Sequence, residues 1–109
     1  MEQLIQLLTT VNDKATAQSI ARTLVQKQLA ACVQIDGPIE SCYRWKGNIQ
    51  VSEEWRCTIK SRQDRLPALQ QELKDLHPYE LPEVLCLAVI GASKPYYDWV
   101  SECVQPKTA

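Results

Sequence analysis

His77, Tyr79, Glu80 and Glu83 crowd into one short stretch, His77-Pro78-Tyr79-Glu80-Leu81-Pro82-Glu83-Val84, which carries an imidazole, a phenol and two carboxylates between two prolines. Imidazole and carboxylate are donors for cations such as Zn²⁺ and Cu²⁺, which want three or four such ligands. His77 is the chain's one histidine, and two readings stand for it. It contacts a metal ion or other ligand with Glu80 and Glu83 beside it, or it is a helix-terminal ring bonded to backbone and favoured by the helix dipole. Tyr79 and Glu83 likewise serve either as junction packing or, with Lys60 and Trp45, as parts of a cleft for a small anionic ligand. Catalytic constellations are lacking. The chain holds three glycines and so no phosphate loop, and it has no placeable Ser/His/Asp set. A Cys32–His77 dyad has better structural explanations, so no enzyme is expected.

Those residues need elements to hold them. Each proline fixes its own φ, removes a donor and turns the preceding residue away from helix, so the stretch is a stiff crossing that ends whatever precedes His77. Before it, Leu66, Leu69, Leu73 and Leu76 mark a helix; after it, Val84 to Ile90 is apolar at every position and reads as a strand buried on both faces. Near the start, Gln3 to Val11 is apolar on both parities, an inner strand. Asn12 or Asp13 then caps a helix with its stripe at Ala17, Ile20, Ala21, Leu24, Val25 and Leu29.

From Val33 to Trp45 the apolar residues alternate, interrupted at Gly37-Pro38, which marks a bend or bulge. Lys46-Gly47-Asn48 turns the chain, and Val51, Trp55, Cys57 and Ile59 alternate on the way back, making a hairpin. An arm of about 13 residues at about 3.3 Å each is about 43 Å long, against a diameter of about 34 Å for a compact chain this size. Part of it should overhang, with Tyr43, Trp45 and Trp55 near the free end, covered by a partner. Ser93 or Lys94 caps a last short helix, with Pro95 near its start and Tyr96, Trp99, Val100, Cys103 and Val104 as its stripe. Gln105 to Ala109 is expected to fray.

The order is β-α-β-β-α-β plus a short C-terminal helix, the ferredoxin-like α+β plan in a single domain over 1–109. Its two main helices cover one sheet face, so strands apolar on both sides call for another copy of the chain. At 109 residues and net charge −1 the chain has no field that would draw nucleic acid or an anionic membrane. No apolar run approaches the roughly 20 residues of a membrane span, and the start lacks a basic or Arg/Ser-rich leader, so a cytoplasmic protein is expected. Five cysteines, an odd number without a Cys-x-x-Cys pair, read mostly as small hydrophobes rather than a disulfide framework or zinc site.

Ala30-Ala31-Cys32-Val33, Tyr43-Arg44-Trp45-Lys46-Gly47 and above all His77 to Val84, with Thr9-Thr10, Asp13 to Ala17 and Tyr97-Asp98-Trp99, together resemble the CutA divalent-cation tolerance proteins from about Ile5 to Val100. The resemblance implies a PII-like homotrimer, no attached reaction and a link to Cu²⁺ or another divalent cation. The reading taken from it is weak cation binding, with His77 and its neighbouring carboxylates Glu80 and Glu83 as contacts and no cofactor required. The alternative it leaves is a PII-like signalling trimer that binds an anionic metabolite between subunits. The family's copper site pairs a Cys ending the first strand with a His-His pair. Those positions here are Thr9, Leu76 and His77, so only His77 remains.

Overall fold

The computed structural model describes residues 2–106; residues 107–109 of the tail expected to fray lie outside the described residues. The apolar run at the start forms β1 (Leu4–Val11), and the Asp13 side chain caps α1 (Lys14–Gln26) by accepting from the Thr16 N–H at 2.7 Å. The hairpin is β2 (Cys32–Trp45) and β3 (Asn48–Arg62). A 3-10 turn at Gln63–Arg65 leads into α2 (Leu66–Leu76), and β4 (Leu85–Ala88) and α3 (Lys94–Cys103) follow. The sheet has the order β2-β3-β1-β4, antiparallel throughout. An α+β fold with a four-stranded antiparallel sheet and three helices is thus what the element order anticipated.

The helices α1 and α2 cover one face, packing Ala17, Ile20, Leu24, Leu69 and Leu73 on Leu7, Val11, Cys57 and Ile59. A second, smaller core forms where Val100 of α3 and Val104, the residue that caps it, meet Leu4 and Ala31. At the hairpin tip Lys46 and Gly47 both have positive φ (50° and 81°), the two-residue turn whose twist matches the strands it joins.

The overhang is real. β1 pairs with β3 only from Trp55 to Arg62, so 39–45 and 48–54 run on as a two-stranded arm, and the molecule measures 45 × 30 × 22 Å. Ile49 and Val51 on that arm are 70% and 59% exposed. Trp55 differs from expectation: it faces Val11 at the root of the arm and packs against the main core. The expected strand over 84–90 also differs. It is four residues long and forms the sheet edge, and all four side chains are exposed, because α1 and α2 centre on β1 and β3 while α3 lies towards Leu4. Continuous apolarity there did not mean burial within one chain. In α3 and its cap the buried residues are Val100 and Val104, whereas Tyr96 and Trp99 are exposed.

The interruption at Gly37-Pro38 is a bulge with one extra residue between Asp36 and Ile39. One extra residue reverses which sheet face every later side chain points to. Val33 and Ile35 pack on the helix-side core, while Ile39, Tyr43 and Trp45 lie on the other face of the hairpin.

Candidate functional site

The junction between α2 and β4 is docked by its first three residues. His77 stands before Pro78 and is extended (φ −80°, ψ 131°), so α2 stops there, and its N–H still bonds the Leu73 carbonyl at 2.8 Å. The ring is buried. The Tyr79 N–H donates to Nδ1 at 3.2 Å, and Nε2 lies 2.9 Å from the Thr10 carbonyl oxygen of β1. A backbone N–H can only donate and a carbonyl can only accept, so Nδ1 is the acceptor and Nε2 carries the proton, the neutral tautomer. Burial holds the imidazole below its ordinary pKa of 6.5, against the opposing pull of the Thr10 bond and the Glu54 charge.

Tyr79 packs edge-on against that ring at 4.8 Å between centroids. Its hydroxyl donates to Glu54 Oε2 at 2.9 Å, a carboxylate on β3 that is 7% exposed. Burial first, and then the Glu54 bond, push the phenol far above its ordinary pKa. The alternation that turns Val51, Trp55, Cys57 and Ile59 inward leaves Glu54 pointing outward, and nothing near it in sequence gives it a role. Outward from the helix-side core means the other sheet face, where the junction returns, and the alternation alone carries no sign of that return.

His77 thus sits where a backbone-bonded ring was one of the two readings, and both its nitrogens are engaged. Glu80 and Glu83 are exposed. Glu83 lies near enough to Arg56 to add to the charge that, after the Asp36 bond and charge, raises the Arg56 pKa. Among the described residues no three His, Cys, Asp or Glu side chains converge to hold a metal ion. Thr9 is fully buried and Leu76 packs on the core, so the residues present do not fit a copper centre of the Cys/His-His kind. All five cysteines are free; burial pushes Cys57 up to about 11, and it stays a thiol at neutral pH, whereas Cys42 and Cys86 are exposed.

Lys60 is placed apart. It pairs across the sheet with Gln6 and Cys32 and its Nζ lies 5.8 Å from the Tyr96 ring centroid, six positions along β3 from Glu54. At about 3.3 Å per residue that is about 20 Å. One chain therefore does not bring Lys60 to Tyr79. It does bring Trp45 to Tyr79 and Glu80, because the bulge has turned Trp45 to the junction's side of the hairpin. These three, with Tyr43, Asn12 and Leu81, line a pocket of about 390 Å³. Asn12 and Tyr43 had no role in the sequence reading of the site, since neither is near the junction in sequence.

The CutA1 divalent ion tolerance protein family matches residues 5–103. The divalent-cation tolerance protein CutA of Thermus thermophilus is 36% identical over 102 residues, covering 94% of this chain and 97% of that one. Protein CutA of Mus musculus is 40% identical over 98 residues, covering 90% of this chain; the chain spans only 55% of that longer relative. Among solved structures, CutA from Synechococcus elongatus superimposes with a TM-score of 0.91 at 44% identity over 96% of this chain and 93% of that one. CutA1 from Oryza sativa does so with 0.93 at 33% identity, over 97% of each chain.

Proposed function

The chain belongs to the CutA1 divalent ion tolerance family, and from that premise we propose that it works as a homotrimeric, non-enzymatic divalent-ion tolerance protein of the cytoplasm that meets cations weakly, at the exposed carboxylates Glu80 and Glu83. The observation that carries the cation reading is the junction's docking. One hydrogen bond from His77 to β1, one from Tyr79 to β3 and one between the two residues hold the junction on the sheet, and the two carboxylates beyond it are exposed. In this reading His77 holds the junction, and its lone pair stays with the Tyr79 N–H. Two exposed carboxylates favour weak, exchangeable contact with Cu²⁺ or Zn²⁺ over a closed three- or four-donor centre. No helix among the described residues is long and apolar enough to cross a membrane, which accords with the proposed location.

Assembly is supported by the arm and the edge. Ile49 and Val51 share one face of the arm, and Leu85, Leu87 and Ile90 at the β4 edge are 54%, 47% and fully exposed. An unpaired apolar edge strand and an apolar arm are complementary invitations to a further copy. The number three follows the family resemblance.

Calorimetry with Zn²⁺ and Cu²⁺ tests the cation reading. A weak heat is expected for the wild type and for His77→Gln, and its loss in Glu80→Gln/Glu83→Gln. A heat abolished by His77→Gln in a protein that still folds would make His77 the ligand and overturn this assignment.

A further inference from the structure

We propose that the pocket between the arm and the junction binds a small organic cation with an alkylated ammonium head group. Three aromatic rings line it from two segments, Tyr43 and Trp45 from the end of β2 and Tyr79 from the junction facing them. The faces of such rings carry negative electrostatic potential, and a group of them around a cavity is the arrangement that holds alkylammonium ions. Its charge has the matching sign. Glu80 lies in the wall and no Lys or Arg does, and Glu54 stands behind Tyr79. The Tyr79 hydroxyl donates to that carboxylate, and a phenol donating to an anion gains electron density in its ring and attracts a cation more strongly.

Trp45 already draws an ammonium group: Lys46 Nζ lies 5.7 Å from its ring centroid, although Lys46 is not in the pocket wall. The Tyr43 ring is fixed by a 2.7 Å bond between its hydroxyl and Ser52 Oγ. The volume, about 390 Å³, suits a small molecule. An anion would meet Glu80 and find Lys60 about 20 Å away along the strand. A bare metal ion would find one carboxylate and rings. The inference goes beyond divalent-ion tolerance and does not depend on it.

The test is titration of the wild-type protein, in excess EDTA and constant chloride, with tetramethylammonium and separately with tert-butanol, its uncharged near-isostere. The readouts are calorimetry and the Trp45 indole N–H resonance. Saturable binding of tetramethylammonium at least about tenfold tighter than tert-butanol is expected, as is a several-fold weakening in Glu80→Gln. Trp45→Ala should abolish saturation and Trp45→Phe retain part of it. Equal affinity for the two probes would make the pocket merely apolar, and no saturable shift, or binding indifferent to Glu80→Gln and Trp45→Ala, would equally overturn the proposal.

Discussion

A buried imidazole with a donor on one side and an acceptor on the other tolerates one protonation state. In the folded chain Nδ1 of His77 receives the Tyr79 N–H, so a second proton there would set two donors against each other, while burial further disfavours the charge. The folded pKa therefore lies below the unfolded value near 6.5. Above that value the ring is neutral in both states and its contribution is complete; as pH falls through 6.5 the unfolded chain takes up the proton first and stability is lost. Between pH 7 and 5.5 the urea midpoint of the wild type should fall more steeply than that of His77→Gln. Parallel slopes would show that the ring titrates normally. The neighbouring pair has its own signature. Tyr79→Phe leaves the Glu54 carboxylate buried without its donor and should cost about 1–3 kcal/mol in urea denaturation, whereas Tyr79→Phe/Glu54→Leu removes both partners and should lie nearer the wild type.

Among the elements, the bulge decides most. A Cβ added at Gly37 would stand 2.5 Å from Trp55 Cε3 and 3.1 Å from the Glu54 carbonyl oxygen, so backbone and indole meet where the strand bends. Gly37→Ala should destabilise by about 1–3 kcal/mol through that overlap, and the penalty should shrink in a Trp55→Leu background, a coupling that a double-mutant cycle measures directly. This is also where sequence reading stopped. Period-two alternation located both hairpin strands, Gly37-Pro38 announced an irregularity, and Asp13, Pro95 and the two prolines after Leu76 set the ends of the helices. Alternation cannot count the residues a bulge inserts, and one residue decides whether Trp45 faces the helices or the junction. The junction's own partners were hidden for a related reason: Thr10 and Glu54 lie 67 and 25 positions from the residues they bond, and only the sheet brings them close. An all-apolar run likewise marked β4 as a strand but not as an edge.

On the scale of the molecule, the chain is less compact than its mass warrants. Its radius of gyration is 14.7 Å against about 13 Å for a globular chain of this length. Its surface is 6990 Å², where a monomer of 12.4 kDa should expose about 6,100 Å². The surplus, roughly 890 Å², is of the same order as the roughly 800 Å² that each partner contributes to an ordinary specific interface. The arm beyond β1 contributes to it, since Ile49 and Val51 are exposed there and belong to neither buried cluster. One face carries Ile49 and Val51 and is free to meet another copy; the other carries Tyr43 and Trp45 over the junction pocket. Ile49 and Val51 are not among the residues that line the pocket, so the two roles do not compete for the same side chains. Association that stabilises only folded chains makes the melting temperature rise with protein concentration. The wild type should therefore melt higher as concentration rises and scatter as three times the 12.4 kDa chain. Ile49→Asp/Val51→Asp should scatter as a single chain and melt at one temperature whatever its concentration, while its core, which includes neither residue, still folds. A wild type that scatters as one chain and melts independently of concentration would mean that the arm stands exposed in water and that the extra surface has some other use.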